Sequence, residues 1–187
     1  MDEDGYICLT DFGLAKKLER NEQSKTFAGT PAYIAPEVLK GTGHSFPVDW
    51  WTLGILVYEM IVGFSPFSTL KNDQNKLFQQ IEKMSVAFPE KGRHSIEMSD
   101  TCKDFVARLL DKNPATRLGS RGDLKELFEH PWLRDVDVEA IQNKTYKAPL
   151  KPRLTTNAED VSNFCNNLTT REVAHTRIPQ KRLHMVR

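Results

Sequence analysis

Cysteine is scarce and unpatterned: Cys8, Cys102 and Cys165 are the three in 187 residues, without a CxxC pair or Cys/His spacing. That argues against a disulfide framework and against a structural zinc site. Excess charge of one sign is missing as well. Lys and Arg total 26, Asp and Glu 25, leaving +1, whereas broad nucleic-acid coating needs a dense cationic surface. Long apolar runs are absent: the best stretch, Leu53 to Val62, is interrupted by Gly54 and Glu59, and a bilayer span needs about 20 apolar residues. The opening Met1-Asp2-Glu3-Asp4-Gly5 is acidic, where a secretory leader is basic and then apolar. A reducing intracellular compartment is expected, the cytoplasm first and the nucleus second.

What is present suits a folded chain. At 39% hydrophobic and 27% charged residues, the composition is that of a globular protein. Its length predicts about one domain with an appendage, burying roughly 70% of the unfolded surface.

Asp4-Gly5 is a turn dipeptide and Tyr6 to Thr10 reads as a strand, though little chain precedes the turn to pair with it. Lys16 to Pro31 is polar and aperiodic, a long loop of the kind that is usually functional or disordered. Pro36 opens a short helix stopped at Gly41. Val48 to Val62 is apolar almost all round, as expected of a helix buried at the centre of a bundle. Asn75 to Met84 is amphipathic, Ser99-Asp100 caps a helix with Phe105, Val106, Leu109 and Leu110 as its core stripe, and Asp123 to Phe128 is a further short helix. Beyond Leu133 the chain turns Pro-rich and irregular, which sets a boundary: residues 1–133 form one domain and 134–187 an extension.

Asp11-Phe12-Gly13 alone is a weak signal. Order and spacing strengthen it: a polar loop follows, then Gly29-Thr30-Pro31, Ala35-Pro36-Glu37, and Asp49-Trp50-Trp51-Thr52-Leu53-Gly54. This series resembles the second half of a eukaryotic protein kinase catalytic domain. Lys25-Thr26-Phe27-Ala28-Gly29-Thr30-Pro31, Asn113-Pro114-Ala115-Thr116-Arg117-Leu118-Gly119 and His130-Pro131-Trp132 resemble the AGC group of serine/threonine kinases. Pro149-Leu150-Lys151-Pro152 and Asp160-Val161-Ser162-Asn163-Phe164 resemble that group's C-terminal tail.

The resemblance implies a mainly α fold, the large lobe of a kinase with a short N-terminal β remnant and the small lobe missing. It implies transfer of the ATP γ-phosphate to protein Ser or Thr in basic contexts, with ATP and Mg²⁺ as cofactors. Asp11 would ligate the metal, Phe12 pack beneath it, and Gly13 turn the backbone, the three together forming the cofactor side. Thr30 would orient the acceptor hydroxyl as the catalytic-side residue. Thr26 would be the activation phosphosite, installed by an upstream kinase, with Lys16 as a partner for its phosphate. Phe27, Pro31 and Ile34 would line the pocket for the residue after the phosphoacceptor. Glu59 would meet either a substrate arginine or an internal cation. Ala32 stands where the group usually has Glu, removing one acidic group from that surface. Glu37 and Arg117 would pair structurally, and Asp49 would hold the catalytic-loop backbone.

The family's Gly-rich loop, strand lysine, helix glutamate and catalytic loop have no counterpart in these residues; the catalytic Asp lies about 18 residues before the metal-binding Asp. A fragment, either a natural short product or a partial gene model, is therefore expected, inactive alone. The alternative is a non-catalytic regulatory or decoy module binding kinase substrates or partners. Residues 170–187 carry five Lys or Arg against one Glu, a solvated end capable of weak membrane-surface contact. Protein substrates are the expected partners, with no nucleic acid and no transmembrane segment.

Overall fold

The computed structural model describes residues 1–19, 21–67, 73–89 and 97–153. The Asp160–Phe164 stretch and the basic end at 170–187 lie outside the described residues. Two compact units are formed, one from Asp11–Asp137 and one from Met1–Thr10 with the chain from Val138 onward.

The larger unit is helical: α1 Pro36–Leu39, α2 Pro47–Val62, α3 Gln74–Lys83, α4 Asp100–Leu109 and α5 Leu124–Phe128, with single 3-10 turns at Phe12–Leu14, Pro31–Tyr33 and Pro131–Leu133. Local chemistry sets the boundaries. Pro36 and Pro47 sit at first helical positions, where a missing N–H is harmless. The Asp73 side chain accepts from Asn75 and Lys76 N–H to start α3, and Ser99 Oγ accepts from Cys102 N–H to start α4, each satisfying donors no helical carbonyl can reach. Gly63 ends α2 at φ 92°, a left-handed conformation that glycine adopts without a Cβ clash.

α2 is the spine and packs mainly on α4. Trp51, Ile55, Tyr58 and Val62 fall on its buried face and meet Cys102, Val106 and Leu110. The all-round burial expected from its composition is not observed. Leu56 is 43% and Met60 68% exposed, because α4 and the neighbouring turns cover one side, and the described residues place nothing over the other.

Lys112 is an unexpected half-buried cation at the edge of the core. Its Nζ donates to the Ile81 carbonyl at 2.6 Å and lies 4.1 Å from the Phe67 ring centre and 4.7 Å from that of Trp51. Burial lowers its pKa from the ordinary 10.5 to about 8, with the charges of Arg117 and Lys40 adding to the effect. Between those two values the unfolded chain holds a proton that the folded chain has released, so stability rises with pH across that window. Below about 8 both states are protonated and the penalty is complete. Urea unfolding at pH 7 and pH 10 is expected to show this rise in the parent chain, and to show less of it in Lys112→Met.

In the smaller unit α6, Val138–Gln142, precedes a segment that holds the N-terminal turn. Tyr6 Oη donates to the Tyr146 carbonyl at 2.6 Å, and Lys144 Nζ bonds Asp2 Oδ2 at 2.6 Å. This lysine holds the Asp2 carboxyl below its usual range. The turn at Asp4-Gly5 is present, but the strand expected over Tyr6–Thr10 is not: the described residues contain one isolated bridge, Ser24 with His44, and no strand. Strand structure requires a paired neighbour. Ile7 and Leu9 are 89% and 85% exposed, so apolar alternation alone has no partner face to bury.

Candidate functional site

Asp11 sits at φ 61°, ψ 72°, and its Oδ1 accepts from Gly13 N–H at 3.3 Å, capping the Phe12–Leu14 turn. Aspartate is among the few residues that tolerate this left-handed region, because its short side chain bonds locally. The carboxylate is exposed. Phe12, expected to pack beneath it, is 69% exposed, since no apolar surface among the described residues reaches it. Asp11 offers a hard cation one oxygen-bearing side chain. No group of three His, Cys, Asp or Glu side chains suited to a metal occurs among the described residues.

Beyond Asp11 the chain borders a cleft of about 610 Å³, whose lining includes Lys16, Thr26, Thr30, Ile34, His44 and Asp49. Sequence-distant candidates are therefore gathered on one concave surface. Lys16 pairs with Glu22 at 3.0 Å, and both side chains are about half exposed, 52% and 40%. The Glu22 carboxyl is held below its usual range, first by the Glu19 N–H and then by Lys16. Thr26 N–H donates to Ser24 Oγ at 3.3 Å, and the Thr26 side chain is exposed. Thr30 is exposed too; it caps the Pro31–Tyr33 turn without a side-chain hydrogen bond. Asp49 lies in the first turn of α2 and reaches solvent. Partial desolvation raises its pKa, and the nearby His44 pulls it back.

The Phe27, Pro31, Ile34 and Glu59 group divides. Ile34 is buried at 5%, whereas Phe27 is 56% exposed. Phe27 nevertheless meets Phe78 of α3 edge-to-face, with ring centres 6.2 Å apart, an arrangement favoured by the ring quadrupoles. Glu59 has a partner that the sequence reading did not name: its Oε2 accepts the hydroxyl proton of Tyr33. That carboxylate, together with some burial, pushes the Tyr33 pKa up. Tyr33 is a neutral donor, so this bond sets no positive charge beside the Glu59 side chain.

Arg117 is fully buried and grips Glu37 with both prongs, Nη1 to Oε1 at 2.7 Å and Nη2 to Oε2 at 2.9 Å. It also donates to the carbonyls of Pro47 at 2.7 Å and Asp111 at 3.0 Å. One side chain thus ties α1, the start of α2 and the loop after α4. Sequence reasoning missed Tyr33, Phe78, His44 and Lys112. Only Lys112 left a signal, continuing the Phe105–Leu109 stripe one turn further.

Residues 1–133 match the family described as Protein kinase domain. Among curated relatives, Protein kinase 2 of Dictyostelium discoideum is 38% identical over 154 residues, covering 82% of this chain and 30% of its own length. Atypical protein kinase C of Drosophila melanogaster is 37% identical, covering 94% of this chain and 30% of its own. The serine/threonine-protein kinase sck1 of Schizosaccharomyces pombe is 41% identical, covering 95% and 25%. The chain spans about a third or less of these relatives.

Proposed function

The chain belongs to the protein kinase domain family, on the AGC serine/threonine side, and from that premise we propose that it supplies the substrate-facing half of an enzyme that phosphorylates Ser or Thr in basic protein segments. The observation carrying this reading is Glu59, a carboxylate whose described partner is the Tyr33 hydroxyl rather than a cation. An arginine guanidinium suits such a site because charge-assisted bonds to carboxylate are about twice as strong as neutral ones. Asp11 would contribute a ligand to Mg²⁺, and the metal would offset charge on ATP phosphates when bound. Thr30 would help orient the acceptor, and Phe27, Pro31 and Ile34 would hold the residue after it. Thr26, exposed on its loop, would take an activating phosphate from an upstream kinase. Residues 134–187 would be the AGC-type extension. Protein substrates would be met in the cytoplasm.

Transfer itself needs a metal pair of ligands, a lysine, a phosphate-covering loop and a base-like Asp acting together, and of these the sequence carries Asp11. The 187 residues assayed alone with Mg·ATP and a basic Ser peptide are expected to bind peptide without phosphorylating it. Fluorescence anisotropy should show weaker binding on replacing peptide arginines by norleucine, and Glu59→Gln should remove that preference, a loss of about tenfold. Equal affinity for both peptides would refute the basic-context reading. Transfer abolished by Asp11→Ala would instead refute inactivity, and would separate enzyme from substrate-binding decoy.

A further inference from the structure

The cleft beside the Thr26 loop holds one histidine that the kinase reading does not use. His44 and Ser24 exchange two backbone hydrogen bonds, each 2.9 Å. Ser24 is buried, and its Oγ in turn fixes the Thr26 N–H. In an antiparallel pair, side chains directly opposed share a face, and the diagonal neighbour two positions along is about 7–8 Å away, within reach of long or aromatic groups. Lys16, Thr26 and His44 all border this cleft, and among the described residues Lys16 and His44 are the two lining side chains able to carry positive charge.

We propose that Lys16 and the His44 imidazole together form a binding site for a phosphoryl group carried on Thr26. The proposal rests on reading Thr26 as a phosphosite. A phosphothreonine brings about −1.5 to −2 charge and three acceptor oxygens. Lysine supplies three donors and the imidazole one or two. Glu22 holds Lys16 now, but at half exposure such a pair is worth about 0–1 kcal/mol, so a dianion displaces it. Asp49 is the carboxylate among the described residues lining the cleft, and it lies near enough to His44 to feel its charge. Glu22 and Asp49 are therefore the groups competing with phosphate for the two cations. The Ser24–His44 bonds use backbone atoms, so replacing the His44 side chain leaves the loop's tether in place.

The test is ³¹P titration of the full chain carrying phosphothreonine at position 26, introduced during synthesis. A phosphothreonine in a denatured chain ionises a second time near pH ~6. In the folded chain the midpoint is expected about one pH unit lower. His44→Gln and Lys16→Gln should each recover part of that shift, and His44→Lys should retain it, with melting points of the unmodified variants verifying the fold. An identical midpoint in parent and His44→Gln overturns the site. Phosphothreonine placed at position 30, and inorganic phosphate added to the unmodified chain, separate a Thr26-specific receptor from a general anion site; an equal effect from either overturns the assignment to Thr26. Phosphopeptide mapping of the protein from its own cells addresses the premise separately. Phosphate on Thr30 alone would sink the phosphosite reading, whatever the titration shows.

Discussion

Arg117→Ala is expected to destabilise the Asp11–Asp137 unit by about 3–5 kcal/mol, a large share of what holds a domain of this size together. The side chain is inaccessible to solvent and makes four hydrogen bonds, two of them to Glu37. Truncation leaves the Glu37 carboxylate, 7% exposed, without its partner, and two carbonyls without a donor. The guanidinium also lies 5.3 Å from the Trp51 ring centre, so packing is lost with the charge. Lysine cannot reproduce the fork, and Arg117→Lys should recover less than half of the loss. A double substitution removing both charges, Glu37→Leu with Arg117→Met, should lie closer to the parent than Arg117→Ala does, because no buried ion is left unpaired. Urea unfolding measures all three, and a midpoint unchanged in Arg117→Ala would contradict the assigned role.

Gly54→Val is expected to cost about 3 kcal/mol, and even Gly54→Ala should be destabilising. On helix propensity alone the alanine would gain about 1 kcal/mol. Here a Cβ would stand 2.8 Å from Leu109 Cβ and 2.9 Å from Leu110 Cδ2, distances at which α2 and α4 must separate. Adding Leu110→Ala to Gly54→Ala removes the Leu110 Cγ and Cδ2 atoms from the clash, so the two losses should fall short of additivity. A stabilised Gly54→Ala would mean that α2 and α4 do not approach this closely.

Most of the helical framework was legible because its signals are local. Ser99 as a cap, Gly63 as a stop and Pro36 as a start act within a turn of their own positions. Glu59 shows where local reading ends. Its apolar setting indicated a need for a partner, but the donor, Tyr33, is 26 positions away, and neither periodicity nor spacing names such a residue. Tyr6–Thr10 failed for a related reason: alternation states which face a strand would bury, not whether a neighbour exists to pair with it. Family likeness names roles for Asp49 and Thr30, whereas their exposure depends on what packs over them. The motif series was read from order along the chain, and the cleft that gathers Lys16, Thr26 and His44 depends on the fold.

The separation of 80 positions between Glu37 and Arg117 bears on the route by which the unit folds. Closing so long a loop is entropically costly before other contacts have shortened it. Contacts near in sequence, such as those within α4 and at its caps, are available first. The fork is therefore expected to close on a chain already collapsed, after the rate-limiting step. Interactions formed that late act on the escape rate from the native state and scarcely on the rate of reaching it. Kinetically, the Glu37–Arg117 contact is a latch that sets the lifetime of the fold.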